Sequence, residues 1–464
     1  MHIGNFRGAL YNYLFAKKNG GIFYLRIEDT DRTRLVEGGV EAILRTLERM
    51  GLSYDKGPFI QSERLEIYKG KAEELIAASK AYPCFCSSER LDTLRKSQEA
   101  QKLPTGYDRL CRSLDKDAVA DKRKDLPHVI RFAMPGEGET EFHDLVRGPV
   151  KFQNKLIDDY VLLKSDGFPT YHLASVVDDH LMETSHVIRG EEWLSSTPKH
   201  ILLYRAFGWK PPIFAHLPLL LNADRSKLSK RQGDVAVEDY LDQGYLPEAI
   251  TNFVALLGWN PSAEKEVYSM AELIEAFDVS QVNSSGAVFN REKLDWLNGK
   301  YLRALTPAEF ARRARPFLMS NINCQASSVL DDDELGKLLA LEQERVKTLA
   351  ELPEAVDFLF QDTLDFPVAS LSWKGRPLAE VSVRLEAIKL LFGALDESEF
   401  DRKTLEEKVK GLIAENGWGN GDTLWPLRVA LSGREKSPGP FEIAEVLGKM
   451  KVLERLHAAL RRLP

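Results

Sequence analysis

His2-Ile3-Gly4 opens a segment with helical periodicity. A helix N-terminus presents unpaired N–H groups and a partial positive charge, so it attracts phosphate. Gly4 removes the side chain where a nucleotide would approach, and His2 can donate to a phosphate oxygen. About two hundred residues later, Lys227-Leu228-Ser229-Lys230-Arg231 puts three cations in five residues beside Gly233. A cationic loop of this kind can neutralise charge in a phosphoryl-transfer transition state. Taken singly, the first motif is a three-residue coincidence and the second a solvated charge run. Their pairing across an α/β pattern is what points to nucleotide chemistry.

The elements that must position these motifs can be read from periodicity. Residues 4–18 form a helix with Phe6, Leu10, Tyr13, Leu14 and Lys17 near one face, stopped by Gly20-Gly21. Residues 22–27 are a buried strand ending in the polar burst Glu28-Asp29-Thr30-Asp31, and 38–50 return to helix. This rhythm predicts a layered α/β domain with a parallel sheet, in which polar residues past a strand's carboxyl end face the ligand crevice. A helix follows over 68–80. Region 66–165 reads as a mixed α and β insertion, with strands at 128–134 and 141–150. Buried strands are expected at 161–163, 172–177 and 186–189, a helix at 197–207, and a loop-rich segment over 210–233. From 246 onward nearly everything reads as helix.

Composition sets outer limits. The chain has 464 residues, 44% of them hydrophobic and 29% charged, with a net charge of −7. That length suggests roughly three domains. No apolar run approaches the roughly 18 residues needed to span a bilayer, and the stretch 213–221 is interrupted by His216 and Pro218. Four cysteines in a chain of this size are no disulfide framework. The acidic balance by itself argues weakly against a polyanion partner.

The two motifs resemble the HIGH and KMSKS signatures of class I aminoacyl-tRNA synthetases. The intervening sequence sharpens the likeness. Gly8-Ala9-Leu10-Tyr11-Asn12-Tyr13-Leu14-Phe15-Ala16, Leu25-Arg26-Ile27-Glu28-Asp29-Thr30-Asp31, Tyr171-His172-Leu173-Ala174, Val176-Val177-Asp178-Asp179-His180, Val187-Ile188-Arg189-Gly190-Glu191-Glu192-Trp193 and Trp425-Pro426-Leu427-Arg428-Val429-Ala430-Leu431-Ser432-Gly433 are similar to the bacterial-type glutamyl-tRNA synthetase family. The resemblance covers nearly the whole chain. It implies a multidomain α/β plus all-α protein: a Rossmann-like catalytic domain in two halves (1–65 and 169–233), an acceptor-stem-binding α+β insertion (66–168), a helical stem-contact domain (234–303) and two helical anticodon-binding subdomains (304–374 and 375–464).

The implied activity is that of a glutamate–tRNA ligase. The α-carboxylate of glutamate attacks the α-phosphorus of ATP, pyrophosphate leaves, and a ribose hydroxyl of the terminal adenosine of tRNA(Glu) takes the glutamyl group. This needs positioning and charge neutralisation more than a protein nucleophile. By resemblance, His2, Lys227 and Lys230 serve the chemistry, with Mg²⁺ on the pyrophosphate. Glu28, Tyr171, Ser175 and Arg189 hold glutamate: Glu28 suits its ammonium, Arg189 a carboxylate, and Tyr171 a phenolic hydrogen bond. His2, Gly4, Glu192, Trp193, Lys227, Ser229 and Lys230 hold ATP, although Trp193 reads equally as a packed aromatic. Asp29 and Asp31 are expected to support the loop.

Two departures stand out. The family carries a strand and an Arg-containing segment just before the HIGH motif, and here Met1 takes that place; the expectation is a chain lacking its first strand and one glutamate-binding cation. Ser175 stands where the family often has Asn. Cys84, Cys86 and Cys111 resemble a zinc knuckle of some relatives whose fourth ligand would be at Ser113. Because structural zinc sites are closed four-ligand sites, a metal-free remnant is expected, with His128 the nearest histidine and Cys324 unrelated.

The helical tail resembles the bacterial type of anticodon region rather than the β-barrels of glutaminyl relatives. Arg312, Arg313 and Arg315 are candidates for tRNA phosphates. Expected partners are tRNA(Glu), with tRNA(Gln) as a second candidate, and L-glutamate; no membrane is involved and a monomer is expected. The compartment is the mitochondrial matrix or a bacterial cytoplasm, with 222–227 favouring the former. The competing readings are a non-catalytic tRNA-binding protein and a glutaminyl-specific enzyme.

Overall fold

The computed structural model describes residues 1–34, 36–228, 235–262 and 264–464. Two compact units partition the chain: residues 1–238 with 251–290, and residues 239–250 with 291–464. The stretch 234–303 is thus shared between them.

The first unit starts with α1 (Ile3–Lys18), whose buried Ile3, Phe6, Leu10, Tyr11 and Leu14 recur at helical spacing. Strand β1 (Tyr24–Ile27), helix α2 (Gly39–Arg49) and strand β2 (Lys56–Ile60) follow, with β1 and β2 pairing in parallel. Helix α3 (Leu65–Ala77) leads into β3 (Ala81–Cys84). After α4 (Ser88–Ala100) and α5 (Lys116–Asp125) comes β4 (Val129–Phe132). Next are the hairpin β5 (Glu139–Asp144) and β6 (Gly148–Gln153), and then β7 (Val161–Leu163). Strands β3, β4 and β7 make one antiparallel sheet.

Three sequence expectations need correction. Residues 141–150 are not one strand but the end of β5, a turn over 145–147 and the start of β6, with Gly148 in the left-handed region at φ 74°. Residues 172–177 are not a strand but lie in helix α6 (Tyr171–Leu181). Seven consecutive residues from Leu173 to Asp179 are buried, and burial on all sides erases the amphipathic period that would have marked a helix. Residues 210–233 hold two strands, β9 (Ile213–Leu217) and β10 (Leu220–Leu221).

The hairpin also crosses the boundary drawn around the insertion. One four-stranded sheet runs β6–β5–β9–β8, with β8 at His186–Gly190. β8 and β9 are parallel over five residue pairs, and Asp144 at the end of β5 pairs with Phe214 of β9. Helix α7 (Thr197–Ala206) connects β8 to β9. Leu75, Ile130, Leu162, Leu173, Val177 and Leu203 belong to one buried cluster, so α3, α6 and α7 pack with the antiparallel sheet.

The second unit is helical among its described residues. A single cluster containing Phe310, Leu335, Leu352, Leu385, Phe392, Leu427 and Leu456 forms its core. Arg455 is 4% exposed and donates to the carbonyls of Leu431, Phe358 and Gln361, satisfying orphan C=O groups near helix ends.

Candidate active site

His2 is the N-cap of α1, and its Nδ1 accepts the Gly4 N–H at 3.0 Å. In the neutral ring the proton therefore sits on Nε2. A Cβ on Gly4 would lie 3.2 Å from His2 Nδ1, so the glycine serves this cap as well as any ligand's approach. His2, Gly4, Asn5 and Gly8 line a cleft of about 640 Å³ together with Arg26, Glu28, Arg189, Glu192, Trp193, Lys227 and Leu228. A second cavity of about 440 Å³ shares Glu28 and Trp193 with it and adds Thr30, Asp31, Lys164 and Tyr171. Helix start, strand ends and the 227–228 segment thus meet at one place.

The cleft holds fixed charges of both signs. Arg26 donates to Glu28 Oε1 at 2.9 Å and to Asp179 Oδ1 at 2.8 Å. Burial works against the Arg26 charge, but the carboxylates of Asp179 and Glu28 outweigh it and hold the guanidinium cationic. Burial pushes the Glu28 carboxyl above its ordinary value, while Arg26 opposes that rise. Ser175 is 3% exposed and donates to Asp179 at 3.4 Å, so it stands behind the Arg26–Asp179 pair and lines neither cavity.

Each guanidinium nitrogen of Arg189, on β8, has one close acceptor, and Nη1 and Nη2 make only longer contacts beyond that. Nε donates to His216 Nε2 at 3.1 Å, Nη1 to Tyr171 Oη at 3.1 Å, and Nη2 to Thr197 Oγ1 at 2.9 Å. Nη1 also lies 3.4 Å from His200 Nδ1, and Nη2 3.4 Å from the Trp193 carbonyl. The Tyr171 ring packs on Trp193 with centroids 4.2 Å apart. Burial raises the Tyr171 phenol and Arg189 opposes it, leaving a neutral hydroxyl that can still donate.

Lys227 is exposed and pairs across to Leu221 in an isolated bridge, while Leu228 N–H donates to Leu220 C=O at 2.9 Å. Ser229, Lys230 and Arg231 lie outside the described residues. Asp29 accepts the Ser62 N–H at 2.8 Å, and Asp31 accepts from Thr33, so both support the loop as expected.

Four residues escaped the sequence reading. Arg7 lines the cleft at 4% exposure and ties α1 to the carbonyls of Pro218 and Leu257. Arg26 pairs with Glu28. Asp144 and His216 stand behind Arg189, with His216 Nδ1 2.6 Å from Asp144 Oδ2. The signal for His216 was a polar residue interrupting an apolar run; the other three had none, since their partners are 72 or more residues away or, for Glu28, masked by an ordinary charged loop.

The three cysteines converge. The sulfurs of Cys84, Cys86 and Cys111 lie within 4.8 Å of one another, with Tyr107 Oη 3.3 Å from Cys84 and 3.6 Å from Cys86. The fourth donor at this cluster is thus Tyr107. His128 is engaged elsewhere, with Nδ1 at the Leu126 carbonyl and its ring on Phe85. Burial raises the Tyr107 phenol and keeps it neutral, so among the described residues three thiols converge without the fourth cysteine or histidine that a closed structural zinc site uses.

In the second unit the three arginines are not gathered into one patch. Arg313 pairs with Glu309 at 2.6 Å and with both oxygens of Glu248 at 2.9 and 3.0 Å. Arg315 donates to Asp332 at 2.6 Å and to the carbonyls of Ser327 and Leu330. Arg312 keeps 68% of its side chain exposed while pairing with Glu309. For Arg313 and Arg315 these contacts favour the structural ion pair over the phosphate contact.

Residues 1–296 match the family of class I tRNA synthetases (E and Q), catalytic domain, and residues 309–460 match an anticodon-binding domain. The chain is 48% identical over 471 residues to a glutamate–tRNA ligase of Dehalococcoides mccartyi, covering 100% of this chain and 96% of that one. It is 46% identical over 475 residues to a glutamate–tRNA ligase of Clostridium botulinum, with the same coverage. Among solved structures, a glutamate tRNA ligase from Elizabethkingia meningosepticum, in complex with its amino acid, superposes with a TM-score of 0.90 at 35% identity, covering 100% of this chain and 97% of that one. The glutamate-tRNA synthetase of Elizabethkingia anophelis gives 0.86 at 34% identity, covering 99% and 97%.

Proposed function

The chain belongs to the class I tRNA synthetases of the E and Q type, and from that membership we propose that it is a glutamate–tRNA ligase using ATP. The observation that carries the reading is the shared cleft. Arg189 with its Tyr171 contact, the Glu28 carboxylate, and the capped N-terminus of α1 line adjoining walls of it. A dicarboxylic amino acid and a nucleoside triphosphate need those groups.

In this reading the substrate's side-chain carboxylate docks on Arg189 and Tyr171, and its ammonium on Glu28. The α-carboxylate then faces the α-phosphate of ATP held at the start of α1. His2 Nε2–H, Lys227 and Lys230 balance the charge that develops on the phosphoryl oxygens and the departing pyrophosphate. Mg²⁺ carried on the triphosphate would supply further neutralising charge for the pyrophosphate leaving group. The tRNA acceptor is tRNA(Glu). Arg189 favours glutamate over glutamine because a guanidinium only donates, whereas an amide presents donors of its own.

The test is ATP–pyrophosphate exchange with glutamate and tRNA. Exchange that requires both substrates is expected. Absence of exchange with cognate tRNA would remove the ligase reading and leave the tRNA-binding one. Charging with glutamate against glutamine decides between the two amino acids.

A further inference from the structure

Arg189 Nε–H has one acceptor, Nε2 of His216. His216 and Asp144 are both completely buried, and Nδ1 of the one lies 2.6 Å from Oδ2 of the other. The other carboxylate oxygen, Oδ1, accepts three backbone N–H groups: Val146 at 3.0 Å, Arg147 at 2.9 Å and His216 at 3.1 Å. Asp144 therefore cannot rotate without leaving buried donors unpaired.

We propose that Asp144 and His216 are positioning residues for amino-acid specificity: Asp144 fixes His216 in the Nδ1–H tautomer, and the bare Nε2 so presented sets the plane of the Arg189 guanidinium. This rests on the reading that Arg189 receives the substrate's side-chain carboxylate. A carboxylate is distinguished from an amide by a guanidinium only while its N–H fork is held in register with both oxygens. A tilt of the fork would let one N–H bind the amide oxygen and forfeit the second contact to the carboxylate. The neutral imidazole follows from its surroundings. Burial lowers the proton affinity of His216, Asp144 opposes this, and the neighbouring Arg189 adds to the lowering. A second proton on Nε2 would face Arg189 Nε–H directly.

The arrangement also gives the β5–β6 hairpin a duty in the catalytic site. Asp144 lies 72 residues before His216, at the end of a strand that joins the sheet beside β9.

The test compares three variants by glutamate and glutamine kinetics in tRNA-dependent exchange, with thermal melts alongside. His216→Asn keeps a donor for Asp144 but is too short to accept from Arg189; KM for glutamate should rise about tenfold with a smaller change in kcat, and the preference over glutamine should fall. His216→Gln reaches the Nε2 position with an amide oxygen and should restore most of the loss. In Asp144→Asn the backbone donors hold the amide oxygen, so the NH₂ faces Nδ1. The ring is driven to the Nε2–H tautomer, which turns to Thr197 Oγ1, now 3.1 Å away. The expected result is the His216→Asn phenotype from a side chain of equal size. Should His216→Asn fail to fold, Asp144→Asn carries the same comparison. Equal KM and unchanged discrimination in folded His216→Asn and Asp144→Asn overturn the inference while wild-type exchange keeps the ligase reading intact. No exchange by wild type removes both.

Discussion

At the residue scale the cleft is governed by side chains whose charge is held by neighbours. Arg189 is the clearest case, with one close acceptor at each guanidinium nitrogen and a buried His216–Asp144 pair behind it. Arg189→Ala should raise KM for glutamate about a hundredfold, the order expected for losing a bidentate charge-assisted contact, and leave KM for ATP nearly unchanged. An unaltered glutamate dependence would take it out of the site. Lys227 is exposed, so Lys227→Ala should slow adenylate formation with a melting temperature close to wild type; a large drop in melting temperature would make the lysine structural.

The histidines behind Arg189 link the site to acid stability. Burial lowers His172 to about 4, reinforced by Lys199 and Arg189, and His200, 3.0 Å away, is lowered in the same direction. Native His172 stays neutral while the unfolded chain takes up a proton near pH 6.5. The unfolded state thus binds more protons in this window, and stability is full above about pH 6.5 and falls as pH drops toward about 4. The slope contributed by one such group is at most about 1.4 kcal/mol per pH unit. Melting temperatures at pH 7.5, 6 and 5 should fall in that order, and His172→Gln should flatten the series. A wild-type melting temperature that does not fall over this range contradicts the assignment.

At the element scale, helix starts and strand ends do the positioning. α1 was readable because its apolar residues recur at 3, 6, 10 and 14 and one face is buried. α6 was not, because it is buried all round. The N-terminus of α1 is capped by the same histidine that lines the cleft, so in the proposed reading cap and ATP contact fall on one residue. Gly4→Ala puts a methyl at 3.2 Å from the capping nitrogen. The expected effect is a rise of several-fold in KM for ATP and a loss of about 1 kcal/mol from the weakened cap, read by exchange kinetics and a chemical melt. An unchanged KM for ATP would separate the cap from nucleotide binding. The β5–β6 hairpin teaches the same lesson as α6: its pairing with β9 depends on a contact between residues 144 and 214, and no local pattern encodes such a partner.

At the scale of the whole molecule, each unit has its own buried core, and a net charge of −7 has to coexist with a polyanionic partner. Binding must then come from local cationic surface, and Arg313 and Arg315 are largely committed to carboxylates and carbonyls of the second unit. Counter-ion release applies to whatever phosphates that surface neutralises. Raising salt from about 50 to 200 mM should weaken tRNA binding by roughly ten- to a hundredfold, for a handful of contacts. Arg312→Ala should lower that slope by less than one contact's worth. Salt-independent binding would mean that recognition does not run through phosphates.

The sequence by itself determined the family, because the helix-start motif, the Glu28 loop, the Arg189 strand and the tail motif are contiguous strings whose residue types survive in order. It also determined most helices and strands that have one exposed face, since burial on one side writes a period into the chain. It did not determine which charges pair. Arg26 with Asp179, Arg7 with Pro218, and Asp144 with His216 are contacts between segments about 70 to 210 residues apart. Only the tertiary structure brings them together, for a physical reason. Buried polar groups must find partners, but the partner is chosen by which strand ends and helix starts share a surface, and a one-dimensional pattern holds no information about that.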